Sequence, residues 1–586
     1  MRDINLRYVD ETYGDDGIIE RFGLHYPDSF NFGYDVVDDI AVNDPERRAM
    51  VWCNPEGEEH VFTFADMKHW SDKTANYLAG LGIGRGDMVM VILRRHYQFW
   101  FVATALHKLG AILAPATFML KEHDLEYRLN SASVKALVCT SVGDIAQTVD
   151  NVEAACPTLE TKIILDGGGG GTLAGDSAAI AAAGCGPALS GPAGICAARC
   201  ERDGWLDFNA GVSAASPEFA RLDTHARDPF LLYFSSGTTG NPKMVLHDSA
   251  YALAHIPTAK HWHNVEAGPT ASHFTIADTG WGKAVWGKLY GQWLMEACVF
   301  TYDFDRFSGA EILALIAKYG IATLCCPPTM YRLMMAEGLG GFDLSSLHYC
   351  TTAGEALNPD LFEGWREHTG LALVEGFGQT ETPLLICNVV GSTPKPGSMG
   401  KPSPEYTIEI QDEAGKRCDP GETGEVVVAA DPRPDGVMMC YYREPEKTAE
   451  AMHNGWYHTG DTAWYDEDGF FWYVGRNDDL IKSSGYRIGP FEVESVLLEH
   501  DAVRECAVTG VPDPVRGHAV KATIVLKDGF AASDELTREL QGWVKKRTAP
   551  YKYPRVIDFV DALPKTVNGK IRRSAIRDND AGNREE

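Results

Sequence analysis

One stretch of this chain is built for anion chemistry: Leu231-Leu-Tyr-Phe-Ser-Ser-Gly-Thr-Thr-Gly-Asn-Pro-Lys-Met-Val-Leu246. It opens as a short apolar run, which reads as a buried strand, and breaks into Ser235, Ser236, Gly237, Thr238, Thr239 and Gly240. After Asn241, Pro242 and Lys243 a second apolar run begins. Small side chains let backbone N–H groups approach an anion closely, hydroxyls add donors, and Lys243 adds positive charge. This composition suits a loop that cradles phosphate. It is not a Walker A loop, which needs Gly-Lys-Ser/Thr contiguous at its end, because Pro242 precedes the lysine and Met244 follows it. Taken alone, the same residues also fit an ordinary Ser/Gly-rich surface turn.

Four more stretches follow in order: Thr351-Thr-Ala-Gly-Glu-Ala-Leu357, Glu375-Gly-Phe-Gly-Gln-Thr-Glu381, Tyr457-His-Thr-Gly-Asp461 with Gly475-Arg-Asn-Asp-Asp479, and Pro564-Lys-Thr-Val-Asn-Gly-Lys570. With the loop, they resemble the ordered motifs of the adenylate-forming enzymes: acyl-CoA synthetases, luciferases and peptide-synthetase adenylation domains. Asp278-Thr-Gly-Trp281 and Ser483-Ser-Gly-Tyr-Arg-Ile-Gly-Pro-Phe-Glu-Val-Glu494 most resemble the medium-chain acyl-CoA synthetase branch. The resemblance covers the whole chain except one insert.

It implies an ATP-dependent acid–CoA ligase that joins a small-molecule carboxylic acid to CoA through an acyl-adenylate, with ATP, Mg²⁺ and CoA taking part. By resemblance, Ser235 to Lys243 grip the β- and γ-phosphates, Thr380 meets the α-phosphate, and Glu381 with Thr238 holds Mg²⁺. A carboxylate beside a phosphate makes physical sense only with a cation between them. Gly354, Glu355 and Ala356, with Glu375, Gly376, Phe377, Gly378 and Gln379, resemble the adenine walls. Asp461 and Arg476 correspond to the family's nucleoside contacts, and one carboxylate can accept from both ribose hydroxyls. Lys570 resembles the lysine that bridges carboxylate and α-phosphate during adenylation.

The resemblance further implies two half-reactions served by one rotating C-terminal domain, with Asp478 as hinge. Ser484, Gly485, Tyr486, Arg516, Lys545, Tyr553 and Arg555 match positions that contact CoA. Trp281, Gly378 and Arg487 are expected at the acyl pocket, although core packing suits Trp281 equally well. Acetate-activating relatives carry tryptophan where this chain has Gly378, so an open apolar volume is expected there and acetate is disfavoured.

A chain of 586 residues exceeds one hydrophobic core, so at least two domains are expected. A formal net charge of −29 argues against a nucleic-acid partner. The end of the chain runs the other way: Lys545, Lys546, Arg547, Lys552, Arg555, Lys565, Lys570, Arg572, Arg573 and Arg577 lie among few acids. That reads either as a field that focuses an anionic ligand or as a solvated basic face. The 14 scattered cysteines, some inside apolar runs, fit reduced thiols in a cytoplasmic protein. Cys185, Cys196 and Cys200, and separately His261, His263 and His273, are weak metal clusters without a convincing full ligand set. No leader-like or membrane-spanning apolar stretch is seen, and no oligomeric state follows.

Apolar periodicity predicts alternating helices and strands over residues 1–140, with a helix at 66–79, a strand at 87–93 and a helix at 97–109. Strand–helix–strand order implies doubly covered, mainly parallel sheets. The pattern stops at a Gly/Ala-rich insert, 167–200, which is too poor in apolar surface to order itself and is expected to be flexible. It resumes to about 390, and a small antiparallel β unit is expected from about 400 to 477. The predicted organisation is an α/β N-terminal adenylation domain, 1–477, and a smaller mobile α+β lid, 478–586. Transfer of the acyl group to a carrier-protein thiol, or a non-catalytic nucleotide-binding regulator, are the alternatives to a CoA ligase.

Overall fold

The computed structural model describes residues 4–166, 200–235, 241–266, 272–477, 479–483, 486–565 and 571–582. The 167–200 insert therefore lies, but for Cys200, outside the described residues. The strands that flank it, Thr161–Leu165 and Leu206–Asp207, are parallel neighbours in one sheet.

Two large sheets form the N-terminal part. The first has eight strands, in the order Cys440–Tyr441, Lys243–Asp248, Pro229–Ser235, Ile112–Pro115, Met88–Ile92, Ala136–Thr140, Thr161–Leu165, Leu206–Asp207. The second has nine, running from Lys401–Pro402 and Leu384–Cys387 through Leu373–Gly378, Tyr349–Thr352, Thr323–Cys325, Ser272–Thr275 and Cys298–Tyr302 to the hairpin Arg48–Cys53/Glu59–Thr63. Both are parallel in the middle and antiparallel only at edges. Central strands such as Met88–Ile92 are buried at every position, as sheets covered on both faces require.

Helix Gln98–Leu109 has all twelve residues buried and packs in the cluster that joins the two sheets. A helix buried around its whole circumference has no solvent face, so it belongs between layers, and its polar Gln98, Thr104, His107 and Lys108 are buried with the rest. Its C-terminus closes on Gly110 at φ 68°, a left-handed cap that glycine adopts without strain.

Residues 1–140 depart from simple alternation. Before the helix Phe64–Gly80 the chain forms two antiparallel hairpins, Val9–Tyr13/Ile19–Leu24 and Arg48–Cys53/Glu59–Thr63, and the second joins the sheet built mostly from residues 272–402. Non-local strand pairing leaves no trace in local periodicity.

The expected β unit is a five-stranded antiparallel sheet: Ile408–Gln411, Gly424–Ala429, Trp456–Tyr465, Met452–His453 and Phe471–Arg476. The final part has its own five-stranded sheet and its own core, in which helices Pro490–Leu498 and Asp534–Arg547 pack on strands Val503–Asp513 and Gly517–Leu526. Among the described residues no helix is long and apolar enough to cross a membrane.

Candidate active site

The two apolar runs that flank the Ser/Gly/Thr loop are neighbouring strands. Pro229–Ser235 and Lys243–Asp248 pair antiparallel, with Ser235 opposite Lys243 at the mouth. Ser236, Gly237, Thr238, Thr239 and Gly240 fall outside the described residues, whereas Asn241, Pro242 and Lys243 are described. Facing the mouth is the turn between strands Leu373–Gly378 and Leu384–Cys387, which carries Gln379, Thr380 and Glu381. Gln379 N–H donates to Thr382 Oγ1 at 3.1 Å, and Met438 N–H donates to the Glu381 carbonyl at 2.8 Å, so the turn is pinned from both sides. Glu381 is in a turn and not at a helix N-terminus.

Glu381 is buried. Its Oε1 accepts from Tyr441 OH at 3.0 Å and from Ser235 Oγ at 3.5 Å. Its Oε2 takes no hydrogen bond from the described residues. A hard carboxylate oxygen with no partner among the described residues fits Mg²⁺, which prefers one or two carboxylates together with phosphate oxygens. Lys243 Nζ donates to Tyr441 OH at 3.3 Å and stands 4.7 Å over its ring. Thr380 is held through its backbone, since His247 Nε2 lies 2.8 Å from its carbonyl oxygen. Burial lowers the His247 pKa to about 3, so the ring is neutral and its Nε2–H donates.

Asp461 and Arg476 are direct cross-strand partners on Trp456–Tyr465 and Phe471–Arg476. Asp461 is buried and is bonded by Tyr473 OH at 3.0 Å and by the Gln379 amide. Burial raises its pKa above the ordinary carboxylate range, against the pull of Arg476, Gln379 and Tyr473. Gln379 is fixed in turn by Tyr457 OH, 2.6 Å from its Oε1, and by the Thr459 carbonyl, 2.8 Å from its Nε2. The turn and the nucleoside strands are thus locked together. Glu375 is buried, with one oxygen bonded by the Leu357 N–H at 3.3 Å and the other without a partner; burial pushes its pKa up to about 8.

Helix Gly282–Lys288 joins these parts to the acyl side. Trp281 sits just before it, held by the Asp278 carbonyl, and is partly exposed rather than core. A Cβ on Gly282 would lie 3.9 Å from Thr380, and one on Gly354 would lie 3.9 Å from Lys283 Nζ. Gly354 has φ 92°, a left-handed conformation that excludes most side chains. Ala356 and Glu355 follow in the same bend, with Glu355 bonded to Thr329 at 2.8 Å. Gly378 is closely packed on one side: a Cβ there would lie 2.4 Å from Cη2 of Trp286 and 2.3 Å from the Pro383 carbonyl. The indole of that contact comes from a different segment of the chain.

In the C-terminal part, Lys545, Tyr553 and Arg555 come together. Arg555 donates to Tyr553 OH at 2.8 Å and lies 4.7 Å over its ring, with Lys545 5.6 Å from the same ring. Tyr486 is half exposed and stacks on Tyr551 at 3.9 Å. Arg516 is turned toward Asp513, its Nη1 3.6 Å from the carboxylate. Ser484, Gly485, Asp478 and Lys570 lie outside the described residues, and of Arg487 only the backbone is described, opposite Lys482.

Partners distant in sequence bear on two groups of residues. Five of the ten basic residues at the end of the chain are paired with acids: Lys552 with Glu492, Lys565 with Glu505, Arg547 with Glu499, Arg573 with Glu494, and Arg577 with Asp479. A count of charge along the sequence could not show that. Among the described residues the histidines join no group that could hold a metal: His261 bonds Glu11, His263 bonds Thr351, and His273 bonds Thr323 and Thr275. Missed altogether were Tyr441, Tyr473, His247, Lys283 and Trp286. Each acts through a partner distant in sequence, so no local motif marks it.

The family model described as "AMP-binding enzyme" matches residues 37–442, and that of its C-terminal domain matches 492–570. The chain belongs to the AMP-binding enzyme family. It is 42% identical over 566 residues to human mitochondrial acyl-coenzyme A synthetase ACSM5, covering 95% of this chain and 91% of that one. It is 38% identical to mouse mitochondrial acyl-coenzyme A synthetase ACSM3, with the same coverage. Among solved structures, the anthranilate CoA ligase AuaEII in complex with anthranoyl-AMP matches with a TM-score of 0.82 and 28% identity, over 96% of this chain and 99% of that one. A benzoate CoA ligase from Burkholderia xenovorans LB400 matches with a TM-score of 0.76 and 25% identity, over 94% and 100%. Within the family the chain is an AMP-forming acid–CoA ligase that uses ATP, Mg²⁺ and CoA.

Proposed function

We propose that the chain activates a medium-chain, branched or aryl carboxylic acid in preference to acetate, with the residue roles that follow. The observation that carries this reading is the meeting at Thr380 of the phosphate-side turn and the start of the Trp281-bearing helix. Carboxylate and α-phosphorus would be brought together there, which is the positioning that adenylation needs.

A carboxylate oxygen of the acid attacks the α-phosphorus, and the bond to the diphosphate leaving group breaks. Ser235 to Lys243 hold the β- and γ-phosphates. Asp461 and Arg476 hold the nucleoside, and the bend at Gly354 with the Glu375–Gln379 strand end walls the adenine. Glu381, with Thr238, would hold Mg²⁺, whose charge offsets that of the phosphates. Lys570 bridges the two reacting anions. Rotation about Asp478 then exchanges Lys570 for the Ser484–Tyr486 segment. The CoA thiol attacks the acyl carbonyl and AMP leaves. Lys545, Tyr553, Arg555 and Arg516 offer cations and an aromatic face to CoA, and Arg487 is assigned to the acyl pocket.

We place the domain boundary at 477/478, between the sheet that ends at Arg476 and the one that begins at Ile481. All twelve described cysteines are free, which suits a reducing compartment such as the cytoplasm. The strong negative charge supports the absence of a nucleic-acid partner.

The two half-reactions separate these roles. Lys570→Ala is expected to lose acid-dependent ATP–diphosphate exchange by about a hundredfold or more, the scale of one lost electrostatic group. It should still make thioester from synthetic acyl-AMP and CoA. Equal loss of both half-reactions would overturn the assignment of Lys570 and of the rotation.

A further inference from the structure

We propose that Tyr441 is a positioning residue for the metal-binding carboxylate, one that fixes which oxygen of Glu381 is offered to Mg²⁺ and couples it to Lys243. The inference rests on the assignment of Glu381 to Mg²⁺. Tyr441 belongs to the two-residue edge strand Cys440–Tyr441, which pairs with Lys243–Asp248, with Tyr441 opposite Val245. It comes nearly 200 residues after the loop, and none of the sequence stretches named above contains it. The strand is anchored at its own residue, because Tyr441 N–H donates to Thr448 Oγ1 at 3.0 Å.

The phenol is buried and has contacts on both sides. It donates to Glu381 Oε1 at 3.0 Å and accepts from Lys243 Nζ at 3.3 Å. A carboxylate oxygen can only accept, so the phenol O–H is the donor of this bond. A carboxylate with one oxygen bonded by a phenol is held in one rotamer, and its other oxygen takes no hydrogen bond from the described residues. Without the phenol, Glu381 can rotate and can pair with Lys243 directly. That pairing would remove the metal ligand and the phosphate cation together, since opposite charges a few ångströms apart in a buried site attract strongly. Tyr441 thus keeps an acid and a base apart in the nucleotide-free enzyme while binding both.

The test is Tyr441→Phe in the full chain, which keeps the ring and removes the hydroxyl. Binding of a fluorescent ATP analogue is titrated with Mg²⁺ beside wild type, Glu381→Gln and Thr448→Val, with no acid or CoA present. Tyr441→Phe is expected to need about tenfold more Mg²⁺ for half-maximal binding, the scale of one hydrogen bond to a charged group. Its KM for acid and for CoA should move less than about twofold. Thr448→Val, which loses the strand anchor and keeps the phenol, should follow wild type. A Tyr441→Phe titration that overlays wild type while Glu381→Gln is shifted would overturn the role of Tyr441 alone. An unshifted Glu381→Gln would overturn the metal assignment beneath it. If Thr448→Val and Tyr441→Phe shifted equally, the effect would belong to the strand and the proposal would fall.

Discussion

Trp286 lies against the Cα of Gly378, so closely that a Cβ on the glycine would come within 2.4 Å of the indole. The two residues share one packed contact next to the turn that carries Thr380. The glycine leaves the space and the tryptophan, 92 positions earlier in the chain, fills it. Absence of a side chain at 378 therefore does not by itself mean a deep pocket.

This relationship predicts opposite outcomes for two substitutions. Trp286→Leu should shift the acid optimum toward longer chains, lowering KM for C8 relative to C4 acids by about tenfold, the worth of burying about two further methylenes at about 0.8 kcal/mol each. Gly378→Ala should not mimic an acetate-activating pocket. It should cost about 1–3 kcal/mol of stability through overpacking against Trp286 and Pro383. Thermal melts and a chain-length series check both.

Glu375 predicts a pH dependence. Its pKa in the fold is about 8 against an ordinary value of 4.5. Between those values the folded chain holds a proton that the unfolded chain has released. Stability from this group is therefore complete below about pH 4.5 and falls as pH rises to about 8. Glu375→Gln removes that slope. The melting temperature of the variant should rise relative to wild type between pH 5 and 8, with the ATP KM at pH 7 changed less than about threefold, because the native side chain is already neutral there. A constant difference across that range would show that Glu375 is ionised in the fold.

Arg573 is bidentate to Glu494, with both Nη2 contacts at 2.7 Å, and Arg577 pairs with Asp479 at 2.6 Å. These pairs tie helix Arg573–Gly582, which follows Lys570, to the residue next to the expected hinge. Glu494 also accepts from Val508 N–H at 2.8 Å. Glu494→Ala should strand Arg573 and loosen this end of the chain by about 3 kcal/mol, the scale of a broken buried pair. Hydrogen exchange at 573–582 should accelerate, with exchange at Met88–Ile92 unchanged.

Much of this was legible beforehand for a physical reason. Helix 66–79, strand 87–93 and the hairpin around the phosphate loop carry their periodicity within a single window. So do the turn holding Glu381 and the strands holding Asp461 and Arg476, whose motifs are contiguous. What escaped depends on distant pairing. The hairpin Arg48–Cys53/Glu59–Thr63 crosses into the far sheet, Trp286 stands in for a side chain at 378, and Tyr441 reaches Glu381 from an edge strand. Part of the basic tail is paired with Glu492, Glu494, Glu505 and Asp479, which lie outside it in sequence and against it in space.

The most direct measurement is AMP release by the full-length protein with ATP and Mg²⁺, across acids from C2 to C10 with branched and aromatic members, with and without CoA. The ligase reading predicts sustained AMP formation only when acid and CoA are both present, with a C4–C8, branched or aryl optimum and weak turnover of acetate. Adenylate formed without CoA turnover would contradict it. The acyl group would then pass to another thiol, and the CoA roles of Arg516, Lys545, Tyr553 and Arg555 would fall.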